Sequence, residues 1–84
     1  MEVTIGEAGL TKTWQRKFDK EVTCPYCNGM AKIAFVAFEG PNEDAYVCDL
    51  HKNIENNMWV HDACAVAVYF CKKCLEPVAK MNQA

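Results

Sequence analysis

Cys64-Ala65-Val66-Ala67-Val68-Tyr69-Phe70-Cys71-Lys72-Lys73-Cys74 is the stretch on which the fold turns. Seven uncharged residues, rich in β-branched and aromatic types, read as a strand from Cys64 to Phe70. That strand runs straight into two cysteines three apart. Upstream, Cys24-Pro25-Tyr26-Cys27 repeats the spacing, and Met30 to Phe38 follows it as a second strand. Ile33, Phe35, Val36 and Phe38 send apolar side chains to both faces of that strand, the pattern of a central one. Glu39-Gly40-Pro41-Asn42-Glu43-Asp44 is a run of turn formers, and Ala45 to Cys48 reads as the returning strand of a hairpin.

Further out the signals thin. Asp49 can cap a short helix over residues 50–56, with Leu50 and Ile54 four apart and Asn56-Asn57 ending it. The first ten residues read as an irregular arm or a short edge strand. From Thr11 to Lys20, Trp14 and Phe18 fit one helical face, while Lys12, Trp14, Arg16, Phe18 and Lys20 alternate as in a strand. Both readings stand. The expected organisation is an N-terminal arm (1–21), a zinc-binding β domain (22–76) and a flexible tail (77–84).

Every cysteine and histidine belongs to a pair at i, i+3: Cys24/Cys27, Cys48/His51, His61/Cys64 and Cys71/Cys74. A tight turn at this spacing lets two side chains converge on one metal while backbone amides point at the sulfurs. Eight ligands suit two four-coordinate zinc ions. The pairs combine as nested (first with fourth, second with third), as cross-braced (first with third, second with fourth), or sequentially. An extended Ala65–Phe70 separates the last two pairs by about 20 Å, which disfavours the sequential scheme. The nested scheme gives site 1 as Cys24, Cys27, Cys71 and Cys74, and site 2 as Cys48, His51, His61 and Cys64. It requires the chain to turn back after Asn57, because an unbroken helix would hold His51 and His61 about 15 Å apart. The competing reading of Cys48 and Cys64 is that they pack as small hydrophobes in their strands.

The two knuckles, Cys24-Pro25-Tyr26-Cys27 and Cys71-Lys72-Lys73-Cys74, flank antiparallel strands, and residues 22–76 resemble a zinc ribbon. The resemblance implies a small zinc-bound, mostly antiparallel β fold, here with one short helix. Asn28 and Leu75 stand where many ribbons carry glycine. The ligand order is also similar to RING-H2 cross-brace fingers, although nine residues separate the two histidines here.

Size argues for the same staple. An 84-residue chain has a marginal core and needs a metal, a disulfide or a partner. No apolar run approaches the ~20 residues of a membrane span, and the chain does not open like a signal peptide. The expectation is a cytoplasmic protein, where paired cysteines hold metal more often than each other.

Function is less legible. The formal charge of −2 counts against binding nucleic acid through bulk charge. Glu39, Glu43, Asp44, Asp49, Glu55 and Asp62 make the middle acidic, while Arg16, Lys17, Lys72 and Lys73 on the flanks are candidate nucleic-acid contacts. Cys24-Pro25-Tyr26-Cys27 is also a glutaredoxin-type dithiol, but a β-type segment follows it instead of the helix that lowers a thiol pKa. Four thiolates could also hold iron, as in rubredoxin, but the 43 residues between the knuckles are a long spacer for that family and zinc is the expected ion. No His-x-Glu with Pro-Cys-x-x-Cys is present, so a zinc deaminase is not expected. The reading is a non-catalytic module binding protein or nucleic acid, with no small-molecule substrate; the alternative is thiol redox or iron electron transfer.

Overall fold

In the computed structural model, which describes residues 1–47 and 63–84, five strands form one antiparallel sheet. In chain order they are β1 (Glu2–Ile5), β2 (Glu21–Thr23), β3 (Met30–Phe38), β4 (Cys64–Cys71) and β5 (Pro77–Gln83). β3 is central. Along one edge it pairs with β4, which in turn pairs with β5. The other edge of β3 is shared: β2 lies against its start (Val22 opposite Ala31) and β1 against its end (Ile5 opposite Phe35).

One irregularity sets which side chains face inward. Ile33 lies opposite Tyr69, but Phe35 lies opposite Val68, so β3 carries an extra residue at Ala34. This bulge reverses the alternation, and Ile33 and Val36 both reach the core although they are three apart. Ala31, Ile33, Val36, Ala67, Tyr69 and Val78 line that inner face.

The segment between Gly9 and Lys20 covers it. Leu10 and Phe18 are buried on the sheet, and the Phe18 amide donates to the Leu10 carbonyl. Trp14 stacks on Phe38 with ring centroids 5.1 Å apart, and its indole N–H donates to the Glu39 carbonyl. The Tyr69 hydroxyl donates to the Asp19 carbonyl at 2.6 Å, and the Asn82 amide donates to the Thr13 hydroxyl at 2.6 Å. Gly9 permits this docking, since a Cβ there would sit 2.9 Å from both the Thr4 carbonyl oxygen and the Val36 Cβ. Three of the fully buried core residues are alanines (Ala31, Ala65 and Ala67), so the core is thin. At about 25 cal/mol per Å2 of buried apolar surface, such a core needs a second source of stability.

Several expectations are corrected. Instead of a fold with one short helix, the described residues form an antiparallel β domain with no α-helix among them, only a 3-10 turn at Gly6–Gly9. Residues 50–56, where that helix was placed, lie outside the described residues. Of the strand expected over Ala45–Cys48, residues 45–47 are described and are not a strand, and β4 is the return partner of β3. Thr11–Lys20 is neither helix nor strand, because its side chains are spent anchoring an irregular cover. The tail from Pro77 is a strand whose seven residues all pair with β4.

Candidate metal centre

Each knuckle is the turn of a hairpin. β2 enters Cys24 and β3 leaves after Cys27; β4 enters Cys71 and β5 leaves after Cys74. The two turns share one backbone pattern. The amides of Cys24 and Cys71 donate to the carbonyls five residues on, at Gly29 and Glu76. The Asn28 and Leu75 amides return to the carbonyls of Cys24 and Cys71. In both turns the residue after the second cysteine is left-handed, Asn28 at φ 61° and Leu75 at φ 64°. Asparagine tolerates that conformation, whereas leucine there is strained. The place usually taken by glycine is thus kept in geometry while the residue differs.

Because β3 and β4 are antiparallel neighbours, the two knuckles arrive at the same end of the sheet. The Lys72 amide ties them by donating to the Met30 carbonyl at 3.0 Å. The sulfurs of Cys24, Cys27, Cys71 and Cys74 all lie within 4.8 Å of one another, with Cys24 to Cys74 at 3.7 Å and Cys27 to Cys71 at 3.4 Å. A tetrahedron with arms of about 2.3 Å has edges near 3.8 Å, so the four sulfurs fit a zinc or iron ion. They do not fit disulfides, which require about 2.05 Å. Amides are aimed at the sulfurs: Tyr26 at Cys24, Gly29 at Cys27, and both Lys73 and Cys74 at Cys71, at 3.4–3.5 Å. These donors favour thiolate over thiol. The Cys74 and Lys73 amides lower the Cys71 thiol to about 6, with desolvation opposing them. The Glu76 amide pulls Cys74 down, but desolvation and the thiol protons shared with Cys27, Cys71 and Cys24 outweigh it and push Cys74 up to about 12. Gly29 leaves room for the cluster, since a Cβ there would lie 3.1 Å from the Cys27 sulfur and 3.0 Å from the Lys73 Cβ.

The first and fourth pairs therefore meet, as the nested scheme requires, and the cross-braced and sequential schemes, which part them, do not describe this chain. Of the second set, Cys48, His51 and His61 lie outside the described residues. Cys64 is fully buried, and its sulfur donates to Glu39 Oε1 at 2.7 Å. Glu39, read in the sequence as a turn former, is 1% exposed. Its carboxylate also accepts from the amides of Cys64 (3.0 Å) and Val47 (2.9 Å). No local pattern announces this, because the partners it joins are 8 and 25 residues away.

The basic candidates divide between two places. Arg16 and Lys17 line an open cleft together with Lys20, Glu7 and Asp19. Lys72 approaches Glu21 at 4.0 Å, and Lys73 lies against Gly29 between the knuckles. Each group thus carries acidic neighbours or the charge of the thiolates. Among the described residues, no helix is long and apolar enough to cross a membrane.

No protein-family model matches the chain, no curated protein matches it significantly, and no solved structure does so.

Proposed function

We propose that the chain is a zinc-stabilised interaction module with a structural, non-catalytic metal. The observation that carries this reading is the closed set of four cysteine sulfurs. A catalytic zinc keeps a coordination position for water or substrate, whereas four protein thiolates fill the shell. Here Cys24 and Cys27 hold one hairpin and Cys71 and Cys74 the other, so the ion acts as a cross-link beneath a thin core. A reducing, cytoplasmic setting is part of the proposal, since it keeps the thiols free for metal.

The proposal retains a second ion on Cys48, His51, His61 and Cys64. For Cys64 to ligate, its sulfur must leave Glu39 Oε1. Elemental analysis of protein purified under reducing conditions tests both claims. Two zinc ions per chain support the full proposal, one supports site 1 alone, and iron with the red colour of an iron–thiolate protein replaces it with electron transfer. Between partner classes, protein is favoured over nucleic acid, because the chain carries net charge −2 and the four-thiolate zinc adds −2 beside Lys72 and Lys73.

A further inference from the structure

Antiparallel sheets that face water on one side show polar residues there. This sheet does so only towards its knuckle end, where Glu21 and Lys32 share a row with Phe70. Its inner face is covered by the segment from Gly9 to Lys20, yet the two rows beyond that one are apolar on the outer face as well. One row across the four strands reads Ile5, Phe35, Val68, Ala79. The next reads Val3, Ala37, Val66, Met81. None of the eight is polar or charged. Ile5 is 74% exposed, Val3 56% and Met81 53%, and Phe70 extends the patch towards the knuckles.

We propose that this outer face is a self-association surface, on which a second copy of the chain packs sheet against sheet. The row composition supplies the argument. A two-fold axis lying between the two copies and running along β3 and β4 lays β3 of one on β4 of the other. Phe35 then faces Val68, Val66 faces Ala37, and Ile5 faces Ala79, a larger side chain against a smaller one each time. Val3 meets Met81. Aligned sheets pack about 10 Å apart with a rotation near −30°, which such interdigitation allows. A charged face would repel its own copy; this face has no charge in either row.

The size of the patch sets the strength. Three strand spacings of about 4.8 Å, and rows about 6.6 Å apart, give a few hundred Å2 on each copy. Two such patches fall below the roughly 1,600 Å2 of a standard interface, so the dimer is weak and concentration-dependent. This inference deepens the interaction reading above and is independent of the metal.

Sedimentation of the zinc-loaded chain from about 1 µM to about 1 mM spans the affinities expected of so small an interface. The expected result is a monomer–dimer equilibrium. Ile5→Glu and, separately, Met81→Glu should raise its dissociation constant at least about tenfold, by burying an unpaired charge. Lys17→Glu, in the segment covering the opposite face, should leave it unchanged. Zinc content and far-UV circular dichroism are recorded for every variant, and if Ile5→Glu loses its fold, Met81→Glu carries the test. A wild type that stays monomeric throughout, or a dimer indifferent to both face variants, or one equally weakened by Lys17→Glu, overturns the proposal. A zinc-bound monomer would overturn the dimer and leave the metal reading standing, whereas a folded dimer without metal would do the reverse.

Discussion

At its Cys71 end β4 is held to β3 by sulfur; at its Cys64 end it is held by a carboxylate. Both ends must gather chain segments distant in sequence. At the knuckle end, four sulfurs from two hairpins converge and are placed to close around an external ion. At the other end, Glu39 joins several segments through its own side chain and backbone. Its carboxylate takes the Val47 and Cys64 amides and the Cys64 thiol, while its backbone carbonyl takes the Trp14 indole. The difference teaches where control lies. The knuckle end is built to answer to metal supply and thiol redox state, whereas the carboxylate at the other end is supplied by the chain itself.

The sharpest way to break the comparison is at the metal end. Cys27→Ser should release the ion and unfold the domain, because structural zinc in small domains contributes folding free energy on the order of 10 kcal/mol. Chelation of the unmodified protein should do the same. Circular dichroism with elemental analysis reads the outcome, and a metal-free variant with native β signal would show that the carboxylate end suffices.

Glu39→Ala comes next. It removes the carboxylate acceptor of the Val47 and Cys64 amides, and at about 1–3 kcal/mol for each group left unsatisfied the expected loss is roughly 2–6 kcal/mol. Urea unfolding measures it. Zinc content should stay unchanged, and loss of metal along with stability would mean that the two ends are not separate. Glu39→Gln should cost less, since its amide oxygen keeps one of the two N–H donors.

The smallest effects compare the two knuckles. Leu75 at φ 64° bears left-handed strain of about 1–2 kcal/mol, partly offset in Leu75→Gly by the greater chain entropy of glycine. A net gain of about 0.5–1 kcal/mol is expected. Asn28→Gly, at nearly the same φ, should change stability by only a few tenths, because asparagine already tolerates the conformation. Equal gains at both sites would mean that the leucine is not strained.

How much of this was readable follows from the range of each interaction. The knuckles were legible because i, i+3 spacing is local, and β3 and β4 because long apolar runs declare themselves. An extended β4 disfavoured only the sequential scheme; the choice between nested and cross-braced pairs needed the antiparallel pairing of β3 with β4. β5 was missed because a single buried residue, Val78, sits among Lys80, Asn82 and Gln83, and because Pro77 looked like an ending. Proline is in fact admissible as the first residue of an edge strand. Glu39 was missed for the opposite reason: turn-forming neighbours surround it, and its partners come from far along the chain. The bulge at Ala34 leaves no mark in composition at all. Leu75, where many ribbons carry glycine, gave no sign that the second turn repeats the backbone hydrogen bonds of the first.

That repetition has a kinetic consequence. Each knuckle is a hairpin turn closed by its own backbone hydrogen bonds, of the kind that forms in about 1–10 µs. An ion captured by Cys24 and Cys27 would already sit on an ordered turn. Its remaining two bonds then close a loop, with Cys27 and Cys71 44 positions apart. Capture by the second hairpin is intramolecular, at an effective concentration of order mM for a short flexible connection and lower for a longer one. Zinc uptake should therefore show two phases. The first scales with zinc concentration, and the second is set by how soon β3 and β4 find their register.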